Sequence, residues 1–264
     1  MRDSLRKIAR ITIRTLSIIF LPNQCLYCQK IVENGSHFCV PCMDLLEIIK
    51  EPYCKKCSLP YHFSRARIGC QKCRENNFCF EKNVSSFLYN DLIKYLMNQI
   101  KNRHNISSIP FLAQCMFLSY KSRLNGITFD IITCIPSGSE TIFKRGFNAA
   151  SLLAADFNKF FQKDLKQAAL ESGERKQNVR YLPNLLFKVN KGKNQKTLSL
   201  KERQLAKHGF TINEKYRPII EGSTILLIDD IATTCGTLNA ASLRLVKAGA
   251  YKIYCLTTAR VDFI

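Results

Sequence analysis

The sequence has no apolar run long enough to cross a bilayer and no legible export signal. Residues 2–14 carry Arg2, Arg6, Lys7, Arg10 and Arg14, and the apolar run at 16–22 is interrupted by Ser17. A spanning helix needs about 20 apolar residues, and no small-residue cleavage site follows the run. These absences point to a cytoplasmic chain. The start reads as a helix covering part of the core, with an amphipathic helix at a membrane surface as the other reading. Internal repeats are missing apart from the cysteine pairs described below, and so is any low-complexity tract. Acidic side chains are scarce: 20 Asp and Glu face 40 Lys and Arg, a net charge of +20. With 46% hydrophobic residues among 264, the chain suffices for one large or two modest globular domains.

The positive surplus is uneven. Residues 163–217 hold 14 basic and 5 acidic side chains, which is +9 of the +13 carried by residues 84–264. A solvated lysine-rich face accounts for it, and so does a basic hood over a phosphate-bearing ligand, or contact with nucleic acid. Composition leaves these readings open.

Cysteine is what the chain has in excess. Nine of 13 cysteines fall at or before residue 79, and eight of those form C-x-x-C pairs: Cys25/Cys28, Cys39/Cys42, Cys54/Cys57 and Cys70/Cys73. Two residues between thiolates let a tight turn present both sulfurs to one tetrahedral zinc. Four pairs supply ligands for about two closed, structural zinc sites, the first two pairs on one metal and the last two on the other. Interleaved pairing is the alternative. Without an export signal, metal thiolates fit better than disulfides. Cys79, His37 and His62 are left over, since eight thiolates already fill two sites.

Up to Asn83 only "MDLLEIIK" shows a sustained period. Beyond it, helical and strand patterns alternate. Leu92, Ile93, Leu96, Met97 and Ile100 recur at the helical period behind Asn90, a suitable N-cap. Helices are expected at 111–124, 147–161, 199–207 and 237–248, the last ended by Gly249. Strands are expected at 129–136, 224–228 and 252–259. Such alternation predicts an α/β fold with a mainly parallel sheet and flanking helices.

One strand carries chemistry. Ile225, Leu226, Leu227 and Ile228 run into Asp229 and Asp230, and Thr233, Thr234, Cys235, Gly236 and Thr237 follow before a helix. A small-residue turn opening a helix offers backbone N–H groups and a positive helix end to a phosphate. The carboxylates would repel that phosphate but suit the hydroxyls of an attached sugar. An acidic loop with a helix cap, or a magnesium site of a phosphatase, fits the spacing as well.

This stretch resembles the 5-phosphoribosyl-1-pyrophosphate (PRPP) motif of type I phosphoribosyltransferases. Together with the cysteine array, "KRGFN" at 144–148, and Gln195, Leu198 and Arg203, it makes nearly the whole chain similar to the ComF family. That family is associated with competence for DNA uptake and use of external DNA. The resemblance implies a double zinc-ribbon domain with its N-terminal segment over 1–83 and a phosphoribosyltransferase-like domain over 84–264. It implies that Asp229 and Asp230 hold the ribose hydroxyls, directly or through magnesium, and that Thr233, Thr234, Cys235, Gly236 and Thr237 cradle the 5-phosphate. Pro136, Ser137 and Gly138 would lie by the pyrophosphate, with Lys144 and Arg145 supplying positive charge unless they only form a basic helix entry. Gln195 and Arg203 would close over the ligand or merely coat a helix.

Cys235 stands where the motif usually has glycine. If that position demands a left-handed backbone, strain of ~1–3 kcal/mol or a one-residue shift of the turn follows. An exposed thiol there would also be redox-sensitive, but the preferred reading is a cysteine that is merely tolerated. Two functions remain: PRPP-dependent transfer to an unknown acceptor, or a PRPP sensor that engages single-stranded DNA or the DNA-uptake machinery.

Overall fold

The structure, a computed structural model, describes residues 23–61, 70–173, 178–189 and 209–262. The readings at 1–22, at His62, at Gln195, Leu198 and Arg203, and the helix at 199–207 lie outside them. In chain order come α1 (Val40–Met43), α2 (Gln71–Glu75), β1 (Lys82–Leu88), α3 (Asp91–Arg103), α4 (Ile109–Arg123), β2 (Ile131–Cys134), α5 (Ser139–Arg145) and α6 (Ala149–Ser172). They are followed by β3 (Arg180–Tyr181), β4 (Leu186–Lys188), β5 (Phe210–Ile212), α7 (Arg217–Ile220), β6 (Thr224–Ala232), α8 (Gly236–Lys247) and β7 (Lys252–Arg260).

Five strands form one parallel sheet in the order β1-β7-β6-β2-β3, and β4 and β5 form a separate antiparallel pair. The central strand β6 alternates between two cores, as a period of two requires. Leu226 and Ile228 pack with Leu96, Leu112 and Phe157 of α3, α4 and α6. Ile225 and Leu227 pack with Leu238 and Leu245 of α8 and with Leu186 and Phe210. Burial on both faces explains the unbroken apolar run.

The helices begin and end where local chemistry directs. Asn90 accepts a hydrogen bond from the Ile93 N–H at 3.1 Å, capping α3. The helix expected at 147–161 continues to Ser172, where Gly173 (φ 69°) turns the chain left-handed. β6 likewise outruns its expected end at 228: pairing with β7 continues through Ala232 opposite Arg260, so the acidic pair lies within the sheet.

The cysteine-rich segment joins the fold at three places. Ile48 bridges Phe87 in antiparallel fashion, with Ile49 N–H to Ser86 O at 3.0 Å and Leu88 N–H to Glu47 O at 2.8 Å, which covers the outer edge of β1. Cys25, Phe38 and Cys42 belong to the core that holds α3 and α4. Cys54, Cys57 and Cys70 belong to the core on the α8 face.

Candidate functional site

Two four-cysteine clusters are built alike. Cys25, Cys28, Cys39 and Cys42 bring their sulfurs within 4.8 Å of one another, and so do Cys54, Cys57, Cys70 and Cys73. In each, the first pair sits on a tight turn whose next residue is left-handed, Gln29 (φ 63°) or Ser58 (φ 60°). The second pair sits at a short helix, α1 or α2. Cys28 and Cys39 sulfurs are 3.5 Å apart, and Cys54–Cys73 and Cys57–Cys70 are each 3.7 Å. A tetrahedron with Zn–S of about 2.3 Å has edges of about 3.8 Å, so both clusters fit zinc. One thiol in each is favoured as thiolate. Burial raises that of Cys25, but amides of Cys28, Cys39 and Tyr27 outweigh it and bring it to about 6. Hydrogen bonds from Cys57 and Cys73 pull Cys54 down further. His37 stands outside the first cluster, its ring 5.3 Å from that of Phe111.

The second site lies where the parallel strands end. Ile135 N–H bonds Ile228 O at 2.9 Å, which sets the loop of Pro136, Ser137 and Gly138 beside Asp229. Asp229 is only 8% exposed. Its carboxyl is raised well above the usual range, by burial first and then by Asp230, against the attraction of Lys101 and Lys188. The Asp230 N–H donates to Asp229 Oδ1 at 2.9 Å, and the Ile231 N–H to Asp230 Oδ1 at 2.7 Å. Lys101 Nζ lies 2.5 Å from Asp230 Oδ2.

The turn into α8 exposes Thr233, Thr234, Gly236 and Thr237 and buries Cys235. Cys235 is left-handed, at φ 63° and ψ 9°, so the strained alternative is realised and the turn has not shifted. The cysteine is 2% exposed and packs in the α8 core, which fits the tolerated cysteine and not the exposed, redox-sensitive thiol. Gly236 N–H reaches Thr234 Oγ1 at 3.3 Å, and a Cβ at Gly236 would meet that hydroxyl at 3.2 Å.

Arg145 is half-buried and shares a cavity of about 610 Å³ with Lys101, Ile231, Tyr27, Tyr89 and Tyr95. Lys144 is exposed and does not line it. A neighbouring cavity of about 400 Å³ is lined by Pro136, Ser137, Asn148 and Lys188. A larger apolar cavity of about 630 Å³, lined by Ile48, Phe87, Phe111 and Leu118, contains none of these groups.

Four contributors escape sequence reasoning. Asn148 binds Ser137 Oγ at 3.0 Å and Ile135 O at 2.8 Å and also caps α6 through Ala150 N–H at 3.1 Å. Its signal was present, an asparagine ahead of an alanine-rich helix. Lys101, Lys188 and Arg260 carry no such signal, because only the fold brings them to the strand ends.

Comparison with known proteins matches these two regions separately. A double zinc ribbon domain model matches residues 16–77, and a phosphoribosyl transferase domain model matches residues 104–261, more than half of the chain. Competence protein F of Haemophilus influenzae is 24% identical over 253 residues, 91% of this chain and 98% of that protein. Competence protein ComFC of Bacillus subtilis is 26% identical over 214 residues, 80% of this chain and 78% of that one. Ribose-phosphate pyrophosphokinase B of Dictyostelium discoideum is 51% identical over 39 residues, 15% of this chain and 12% of that protein. The chain therefore belongs to the phosphoribosyl transferase domain family, carries a double zinc ribbon ahead of that domain, and is similar over most of its length to proteins named Competence protein F and ComFC.

Proposed function

We propose that this protein binds PRPP with magnesium at the ends of β2 and β6 and acts as a phosphoribosyltransferase in DNA uptake or utilisation. The observation that carries the reading is the pairing, on one strand–turn–helix, of a carboxylate pair with an exposed threonine loop at a helix N-terminus. The loop's amides and Thr233, Thr234 and Thr237 hydroxyls suit the 5-phosphate. Asp229 and Asp230 accept hydrogen bonds from the ribose hydroxyls. Their hard oxygen donors also fit magnesium, which when bound would neutralise pyrophosphate charge. Arg145, Lys101 and Lys188 surround the strand ends with positive charge and favour departure of pyrophosphate. Catalysis of this kind rests on positioning and charge, so no protein nucleophile is needed. The names of the relatives support the competence role.

The test is calorimetric titration of zinc-loaded protein with PRPP and magnesium, then pyrophosphate release with candidate bases and single-stranded DNA. Binding that Asp229→Asn with Asp230→Asn removes from a folded chain supports the site. Unchanged affinity in that double variant sinks it. The basic surplus at 163–217 favours a second reading, a non-catalytic PRPP sensor that contacts single-stranded DNA or an uptake partner. Binding without pyrophosphate release selects that one.

A further inference from the structure

The two zinc ribbons are not equivalent with respect to the threonine loop. Arg260, the last residue of β7, is 1% exposed. Its Nε donates to Cys57 O at 3.1 Å. Its Nη1 donates to Ala232 O at 3.0 Å, to Thr233 O and to Val261 O at 3.2 Å. One buried guanidinium thus ties a cysteine turn of the second cluster to the carbonyls that open the loop. Charge-assisted bonds in a dry setting are strong, and carbonyls left without them are costly.

A second buried path runs beside it. Ser58 Oγ donates to Asn83 O at 2.8 Å, and Asn83 Nδ2 bonds Ser85 Oγ at 2.9 Å. Ser85 Oγ meets Thr257 Oγ1 at 2.7 Å, and Thr257 lies in register with Asp229. Asn239 of α8 also accepts from Cys79 N–H at 2.7 Å. Around these bonds, Cys54, Cys57 and Cys70 share one apolar core with Cys235 and Leu238. Cys25 and Cys42 pack instead on the other face of the sheet.

We propose that the second zinc ribbon is the floor of the threonine loop and that Arg260 is the positioning residue linking them, so metal held by Cys54, Cys57, Cys70 and Cys73 orders the loop while metal in the first ribbon does not. The inference rests on reading 233–237 as the phosphate loop. It makes PRPP affinity depend on second-site zinc and couples the two ligands reciprocally.

Hydrogen–deuterium exchange on the zinc-loaded full chain, without PRPP, tests it directly. Arg260→Met and Cys73→Ser should each speed exchange at 232–237 by about tenfold or more while the central amides of β6 and β7 stay protected. Cys28→Ser should leave the loop unchanged, and Arg260→Lys, which keeps a charged donor, should recover part of the protection. Loop exchange unaffected by Arg260→Met and Cys73→Ser, or equally raised by Cys28→Ser, overturns the proposal. If Arg260→Met fails to fold, Arg260→Lys decides: loop exchange indistinguishable from wild type overturns it. PRPP titration of the same variants is read separately. A wild-type chain that binds no PRPP defeats the proposed function, whereas the exchange arms still decide the coupling.

Discussion

Asp229 is a buried acid whose ionisation the fold resists. Because its folded pKa is raised above the unfolded value of about 3.9, this group favours folding most at pH below that value. That contribution is lost as pH rises towards the folded pKa. Ligand binding runs the other way, since ribose hydroxyls and magnesium both prefer the carboxylate. PRPP affinity should therefore increase with pH from the acid side, and binding should release a proton there. Calorimetry in two buffers of different ionisation enthalpy measures that release, and a pH-independent affinity would contradict the role given to Asp229. Lys101 Nζ stands 2.5 Å from Oδ2 of the neighbouring Asp230. Cys235 shows the cost of departing from glycine: a left-handed non-glycine residue is disfavoured by about 1–2 kcal/mol, offset here by burial of its side chain.

At the scale of elements, the proposed site rests on two connections that leave the sheet at the carboxyl ends of the paired parallel strands β2 and β6. The β6–α8 turn shows in the sequence because small and hydroxylated residues interrupt two apolar patterns. The β2–α5 loop shows only as Pro136, Ser137 and Gly138, and what holds it is Asn148, on the far side of α5. Replacing Asn148 with Ala removes the α6 cap and leaves Ser137 Oγ and Ile135 O without their amide partner. About 1–2 kcal/mol of stability should go with it, together with weaker PRPP binding. Denaturant midpoints and titration measure both, and a loss of stability alone would mean that Asn148 does not set the loop. β1 was illegible for a related reason. Asn83, Ser85 and Ser86 make it look polar, yet all three are buried, and Asn83 and Ser85 sit in a hydrogen-bonded network that only the fold creates.

On the scale of the whole molecule, the cysteine clusters are parts of the two cores rather than appendages. Metal analysis of purified protein should return about two zinc per chain, and a value near one or zero would refute two four-thiolate sites. Because metal binding free energy is folding free energy at such sites, chelation should lower the thermal midpoint of the chain as a whole. Among the described residues, no helix is long and apolar enough to cross a membrane. The sequence by itself determined the parallel α/β class, the strand that carries the acidic pair, the loop after it and the cysteine pairs. All of these are local patterns, in which period, spacing or turn chemistry is written within about a dozen residues. Only the tertiary structure decided that the two ribbons pack on opposite faces of the sheet, that Lys101 and Lys188 join the strand ends, and that Arg260 joins Cys57 to Thr233. Those contacts link residues as far apart as 203 positions. A side chain that acts at such a distance leaves no trace in its neighbours along the chain, because its partners are set by strand order and not by sequence spacing.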